Sequence, residues 1–187
     1  MDLAAPLGVG WIKVQADWGM LESAPGQFSG NFPVFASAVR DANARGYRVL
    51  VSVAKAPSWA RSTGGDSAPP DNPQDLADFM TRMLSEVGGS IHAVEIWNEP
   101  NLRREWNTDA FAFTGAGYMR LFEPTYAAIR AYSPRITIIT AGLSPTASGT
   151  SSVNDRTYLR QMYAAGLGDY NDIAVGVHPY GWGNAPD

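Results

Sequence analysis

Residues 91–102 read I-H-A-V-E-I-W-N-E-P-N-L. The first half is a short apolar run of the length a buried strand needs. The second half turns polar and aromatic and meets Pro100, which cannot continue a ladder. Trp97, Asn98 and Glu99 therefore fall where a strand gives out. A carboxyl group there, beside an amide and an indole, is well placed for acid–base chemistry. Taken alone, Asn-Glu-Pro reads first as a strand end that happens to carry a glutamate. The case for chemistry rests on the rest of the chain.

Strand-like runs recur on both sides of this stretch. Residues 10–18, 47–54, 91–98, 135–141 and 172–178 each read as a strand, and something helical lies between each pair. Pro33 opens one helix and Gly46 stops it. Asn72-Pro73 caps the next, which carries Leu76, Phe79, Met80, Met83, Leu84 and Val87 at helical spacing and ends at Gly88-Gly89. Thr114 caps a third that runs to about Tyr132, with Pro124 expected to kink or break it. Asn154 or Asp155 starts the last, with Tyr158, Leu159, Met162 and Tyr163 on one side. These Met and aromatic stripes read as core.

The alternation argues for a parallel sheet with helical crossovers. Loops after helices are short, whereas those after strands (55–72, 100–114, 143–154) are long and rich in Gly, Ser, Pro, Asp or Asn. Long loops at the carboxyl ends of strands are what an α/β barrel places around its active site. A doubly wound sheet is the alternative, but the Gly-rich phosphate turn it favours is missing. The expected fold is thus α/β, a (β/α)8 TIM-barrel type, incomplete here with about five parallel strands, and one domain over 1–187.

Parity within the strands adds detail. Ile12, Val14 and Ala16 share one face of the first strand, and Lys13, Gln15 and Asp17 the other. A parallel strand covered on both faces would be apolar throughout, whereas a barrel interior near its mouth can be polar. In the third strand Glu95, Trp97 and Glu99 share a parity. Glu95 would lie deeper, level with Lys13, and is expected to pair with it, because an unpaired buried charge is costly. In the last strand Gly176, His178 and Tyr180 share one face.

Composition narrows the classes. With 187 residues the chain can bury a substantial core, and 45% apolar with 17% charged residues is an ordinary globular balance. A net charge of −4 and the lack of any Lys/Arg run give no reason to expect nucleic acid. No apolar run approaches the length of a membrane span. The chain has no cysteine, and its two histidines, His92 and His178, are too scattered for a typical zinc site. Nothing calls for a cofactor or a metal. M-D-L-A-A-P-L-G lacks the marks of a signal peptide, so localisation stays open, a secreted or periplasmic full-length protein being one expectation.

Taken together, these motifs resemble glycoside hydrolase clan A, the retaining (β/α)8-barrel glycosidases, and most of all its family 39-like and family 5-like members. Trp97-Asn98-Glu99-Pro100-Asn101 matches the strand-four signature, and His178-Pro179-Tyr180 the strand-six His-x-Tyr. Residues 10–18 with Leu21-Glu22 and 25–28 resemble the strand-two region, and Pro57-x-Trp59-Ala60 the loop after strand three. The resemblance implies that Glu99 is the general acid/base; an acid working near neutral pH needs a raised pKa, and desolvation against Trp97 is the expected source. It implies that Asn98 binds the sugar 2-hydroxyl and that His178 and Tyr180 line the subsite. Trp18, Trp59 and, with less weight, Trp182 are candidate sugar platforms. Lys13 stands where many clan members carry an arginine, and a point charge replaces a planar fork there.

The same resemblance places the chain from the helix before strand two to just after strand six. The strand-seven nucleophile, about 5–5.5 Å from the acid/base in a retaining enzyme, is then missing. Asp17 is the best internal stand-in. The chain alone is expected to be inactive, with two open edges through which copies can associate. The alternative is a non-catalytic carbohydrate-binding barrel fragment.

Overall fold

A computed structural model describes residues 5–63 and 65–181. The elements follow in the order β1 (Trp11–Asp17), α1 (Trp18–Leu21), β2 (Glu22–Ala24), β3 (Gln27–Phe28), α2 (Phe32–Ala44), β4 (Arg48–Ala54), α3 (Pro73–Val87), β5 (Ala93–Asn98), α4 (Gly115–Tyr132), β6 (Thr137–Gly142), α5 (Asp155–Ala164) and β7 (Ile173–Ala174). Five strands form one parallel sheet in the order β1-β4-β5-β6-β7, and β2 and β3 form a small antiparallel hairpin. Spatial order follows sequence order, without the reversal that defines a doubly wound sheet. The fold is the barrel-type α/β arrangement with five of its strands.

The helices form where the caps direct. The Asn72 side chain accepts the Gln74 N–H, Thr114 accepts that of Gly117, and Asn154 that of Thr157. Each satisfies a donor that the first helical turn leaves free. Helices α2 to α5 then pack in succession, α2 on α3, α3 on α4 and α4 on α5. Between them and the sheet lies a core that includes Val51, Val53, Val94, Ile96, Phe79, Met80, Met83, Leu121, Phe122 and Met162, all buried. The other face of β1 is open: Trp11, Lys13 and Gln15 are exposed, while Ala16 is buried.

Two expectations need correction. Pro124 does not end its helix, since α4 runs unbroken through it. One backbone bond is lost there, and burial of Tyr118, Leu121, Phe122 and Ile129 outweighs it. The fifth strand is shorter than 172–178. Its ladder is interrupted because the Gly176 N–H is diverted to the Thr140 hydroxyl, at 3.0 Å. Pairing resumes at Val177, opposite Leu143. Trp182 lies outside the described residues.

Candidate active site

Glu99 follows the last residue of β5, on the carboxyl edge of the sheet, and is only 6% exposed. The backbone there leaves the ordinary regions. Lys55, Trp97 and Glu99 have φ of 64°, 77° and 39°, and all three lie at or just past the ends of β4 and β5. Left-handed backbone at non-glycine residues costs on the order of 1–3 kcal/mol each and gathers at functional sites.

This bend corrects the parity reading. Trp97 does not share the face of Glu95. Its indole N–H donates to the Glu105 carbonyl at 3.1 Å, and its ring meets Trp106 edge-on. Trp106 in turn packs on Phe111 and on Tyr118 of α4. Trp97 is therefore part of a buried aromatic cluster under the loop that follows β5.

The Glu99 carboxylate sits between two cationic or polar partners. His178 Nδ1 lies 3.0 Å from Oε1, and the Arg104 Nη2 donates to Oε2 at 3.2 Å. Behind His178, its Nε2 stands 3.6 Å from Glu95 Oε1, and the other Glu95 oxygen is paired with Lys13 Nζ at 2.6 Å. The expected Lys13–Glu95 pair is thus present and joins the same chain of charges as Glu99. Tyr180 packs edge-on against the His178 ring and is 55% exposed. Asn98 is half-buried at the end of β5, opposite Gly142, and no hydrogen bond engages its side chain among the described residues.

The tryptophans divide. Trp18 is fully buried, stacked on Phe79 and edge-on to Trp59, and its N–H donates to Glu22 Oε2 at 2.6 Å. It has no face open to a sugar, which removes it as a platform. Trp59 is half-buried and lines a recess of about 250 Å³ with Pro25, Gly26, Asp75, Asp78 and Arg82. Its contacts lie there and not with the Glu99 cluster.

Asp17, the internal candidate for a second carboxylate, is the last residue of β1. It sits on β1, two strand positions from β5, which is ~10 Å of backbone. Lys55 also holds it at 2.9 Å, and the Asp17 hydrogen bond and charge raise the Lys55 pKa above 10.5. Together they border a cleft of about 420 Å³ lined also by Met20, Ser58, Arg61 and Asp66.

Arg104 was not marked by the sequence, because only its place in a loop after the catalytic-type strand could have suggested it. Asn101, buried, has a structural role. Its amide donates to the carbonyls of Ser144 and Val153 and its side-chain oxygen accepts the Ser144 N–H, tying the loops after β5 and β6 together. Among the described residues no group of three His, Cys, Asp or Glu side chains could hold a metal ion. No helix among them is long and apolar enough to cross a membrane.

Solved glycoside hydrolases share this fold. A β-xylosidase from Caulobacter crescentus CB15 superimposes with a TM-score of 0.64 at 17% identity, over 95% of this chain and 37% of the enzyme. A GH30 endoxylanase from Clostridium papyrosolvens C71 gives 0.64 at 18% identity, over 96% and 45%. The β-glycosidase BGL167 gives 0.54 at 16%, over 94% and 64%. The chain therefore spans less than two thirds of the length of each. No protein-family model and no curated protein matches the sequence.

Proposed function

We propose that this chain is the acid/base-bearing part of a retaining glycoside hydrolase acting on β-linked glycans or oligosaccharides. The observation that carries the reading is the buried Glu99 carboxylate at a strand end, held by His178 and Arg104, in a fold shared with glycosidases. Glu99 protonates the departing glycosidic oxygen and then deprotonates the water that releases the sugar. The nucleophilic carboxylate comes from a strand outside this chain. Asn98 bonds the sugar 2-hydroxyl, and His178 and Tyr180 line the subsite. Trp59 offers a sugar contact in its own recess, and Lys13 acts through Glu95, with which it is paired.

A second reading, a saccharide-binding barrel fragment without turnover, draws on one observation. Three other carboxylates, Glu95, Asp17 and Glu105, are each already paired with a lysine or an arginine.

Turnover of aryl β-glycosides tests the proposal. The isolated chain is expected to give none above its Glu99→Gln variant. A longer polypeptide that supplies the missing carboxylate is expected to turn over, and Glu99→Gln to lower its kcat by about 10²–10⁴-fold. Full activity in that variant would overturn the assignment. Glu99-dependent turnover by the isolated chain would show that the second carboxylate is already present.

A further inference from the structure

One imidazole meets two glutamates here. His178 Nδ1 lies 3.0 Å from Glu99 Oε1, and Nε2 lies 3.6 Å from Glu95 Oε1. The ring occupies the space over Gly142. A Cβ on Gly142 would fall 2.3 Å from His178 Nε2 and 2.4 Å from its Cδ2, well inside contact distance. The Gly142 N–H meanwhile donates to the same Glu95 oxygen, at 3.2 Å. Glu95 itself is 4% exposed and is anchored at its other oxygen by Lys13.

We propose that Glu95 and Gly142 are positioning residues for Glu99, acting through His178. This rests on the reading of Glu99 as the acid/base. Glu95 faces the far side of the imidazole, and Gly142, having no side chain, leaves free the space the ring occupies. His178 can then reach from beyond β7, across β6, to a carboxylate at the end of β5. The arrangement also distinguishes the two oxygens of Glu99. Oε1 is engaged by a ring packed from behind. Among the described residues Oε2 meets the Arg104 guanidinium, which is shared with Glu105 and whose side chain is 72% exposed, and an ion pair so exposed to water is weak. Oε2 is therefore the oxygen left to face the leaving group, with Arg104 displaced as the sugar enters.

The ring nitrogens of the ¹⁵N-histidine-labelled chain report this directly. The His178 Nδ1 resonance in Gly142→Ala and in Glu95→Ala is expected to move to its position in Glu99→Ala, where the contact is gone. Glu95→Gln, which keeps an oxygen in place, is expected to restore the wild-type position. His92 serves as the control for folding, since its Nδ1 accepts the Val49 N–H at 3.2 Å where β4 begins. If Gly142→Ala loses the His92 signature, the two Glu95 variants decide. An unmoved Nδ1 resonance in Glu95→Ala, with the His92 signal intact, overturns the proposal. Failure of the acid/base reading would show separately, as turnover that survives Glu99→Gln.

Discussion

Trp18 shows how far single residues depart from what their spacing suggests. The sequence places it at a strand end, where an indole could face a sugar. The backbone instead turns into α1 at that residue, and the ring goes inward onto Phe79. Its N–H then helps satisfy Glu22, a carboxylate with no exposure, which the Gly26 N–H and Arg82 also hold. Trp18→Ala removes a large core side chain and a partner of a buried charge. A loss of ~3–5 kcal/mol is expected in urea unfolding, against little change for a sugar-platform residue. Trp97 escapes its parity for a related reason, a left-handed φ that no residue pattern announces. Asn98 and Glu99 fall at the end of β5, where the apolar run before them put them, whereas His178 and Tyr180 lie past the two-residue β7. Arg104 lies in an irregular loop and was not legible.

Among elements, the caps and apolar spacings marked four of the helices to within a residue or two, since both are local. The fifth strand was overestimated because its interruption depends on Thr140, a residue 36 positions away. What ties that strand down is also distant. Arg130 of α4 donates to Asp172 Oδ2 at 2.5 Å and to the Asp172 carbonyl at 2.8 Å, and Tyr126 donates to Oδ1 at 2.9 Å. Desolvation pushes the Asp172 carboxyl up, but the Tyr126 hydroxyl and the Arg130 guanidinium outweigh it and hold the carboxyl below 3.8. A depressed carboxylate contributes stability that is full above its unfolded pKa and is lost as pH falls through its folded value. The contribution of Asp172 should therefore drain away below about pH 3.8. Asp172→Asn is expected to flatten that acid limb of the melting temperature. Arg130→Ala is expected to speed amide exchange over 173–178, and so at His178, while β4 and β5 stay protected. An unchanged acid limb or uniform exchange would contradict this.

At the scale of the molecule, the order of the strands and the bias of long loops to their carboxyl ends carried the fold. Closure could not be read from either. Among the described residues the sheet ends at β1 on one side and at β7 on the other. Apolar exposure gathers near both: Leu7, Val9 and Trp11 at one, Val175, Val177 and Tyr180 at the other. Unprotected edges recruit further strands. We propose that copies of the isolated chain associate through them. Sedimentation should then show mass rising with concentration, and a single monomer at all concentrations would refute it.

The site itself is open to a direct measurement on the chain as it stands. A β-linked oligosaccharide titrated into labelled protein is expected to shift the resonances of Asn98, Glu99, Arg104, His178 and Tyr180 together, with a single affinity. Saccharide binding that leaves these five unmoved, or that maps instead to the Trp59 recess, would contradict the claim that the ends of β5 and β7 form the sugar site.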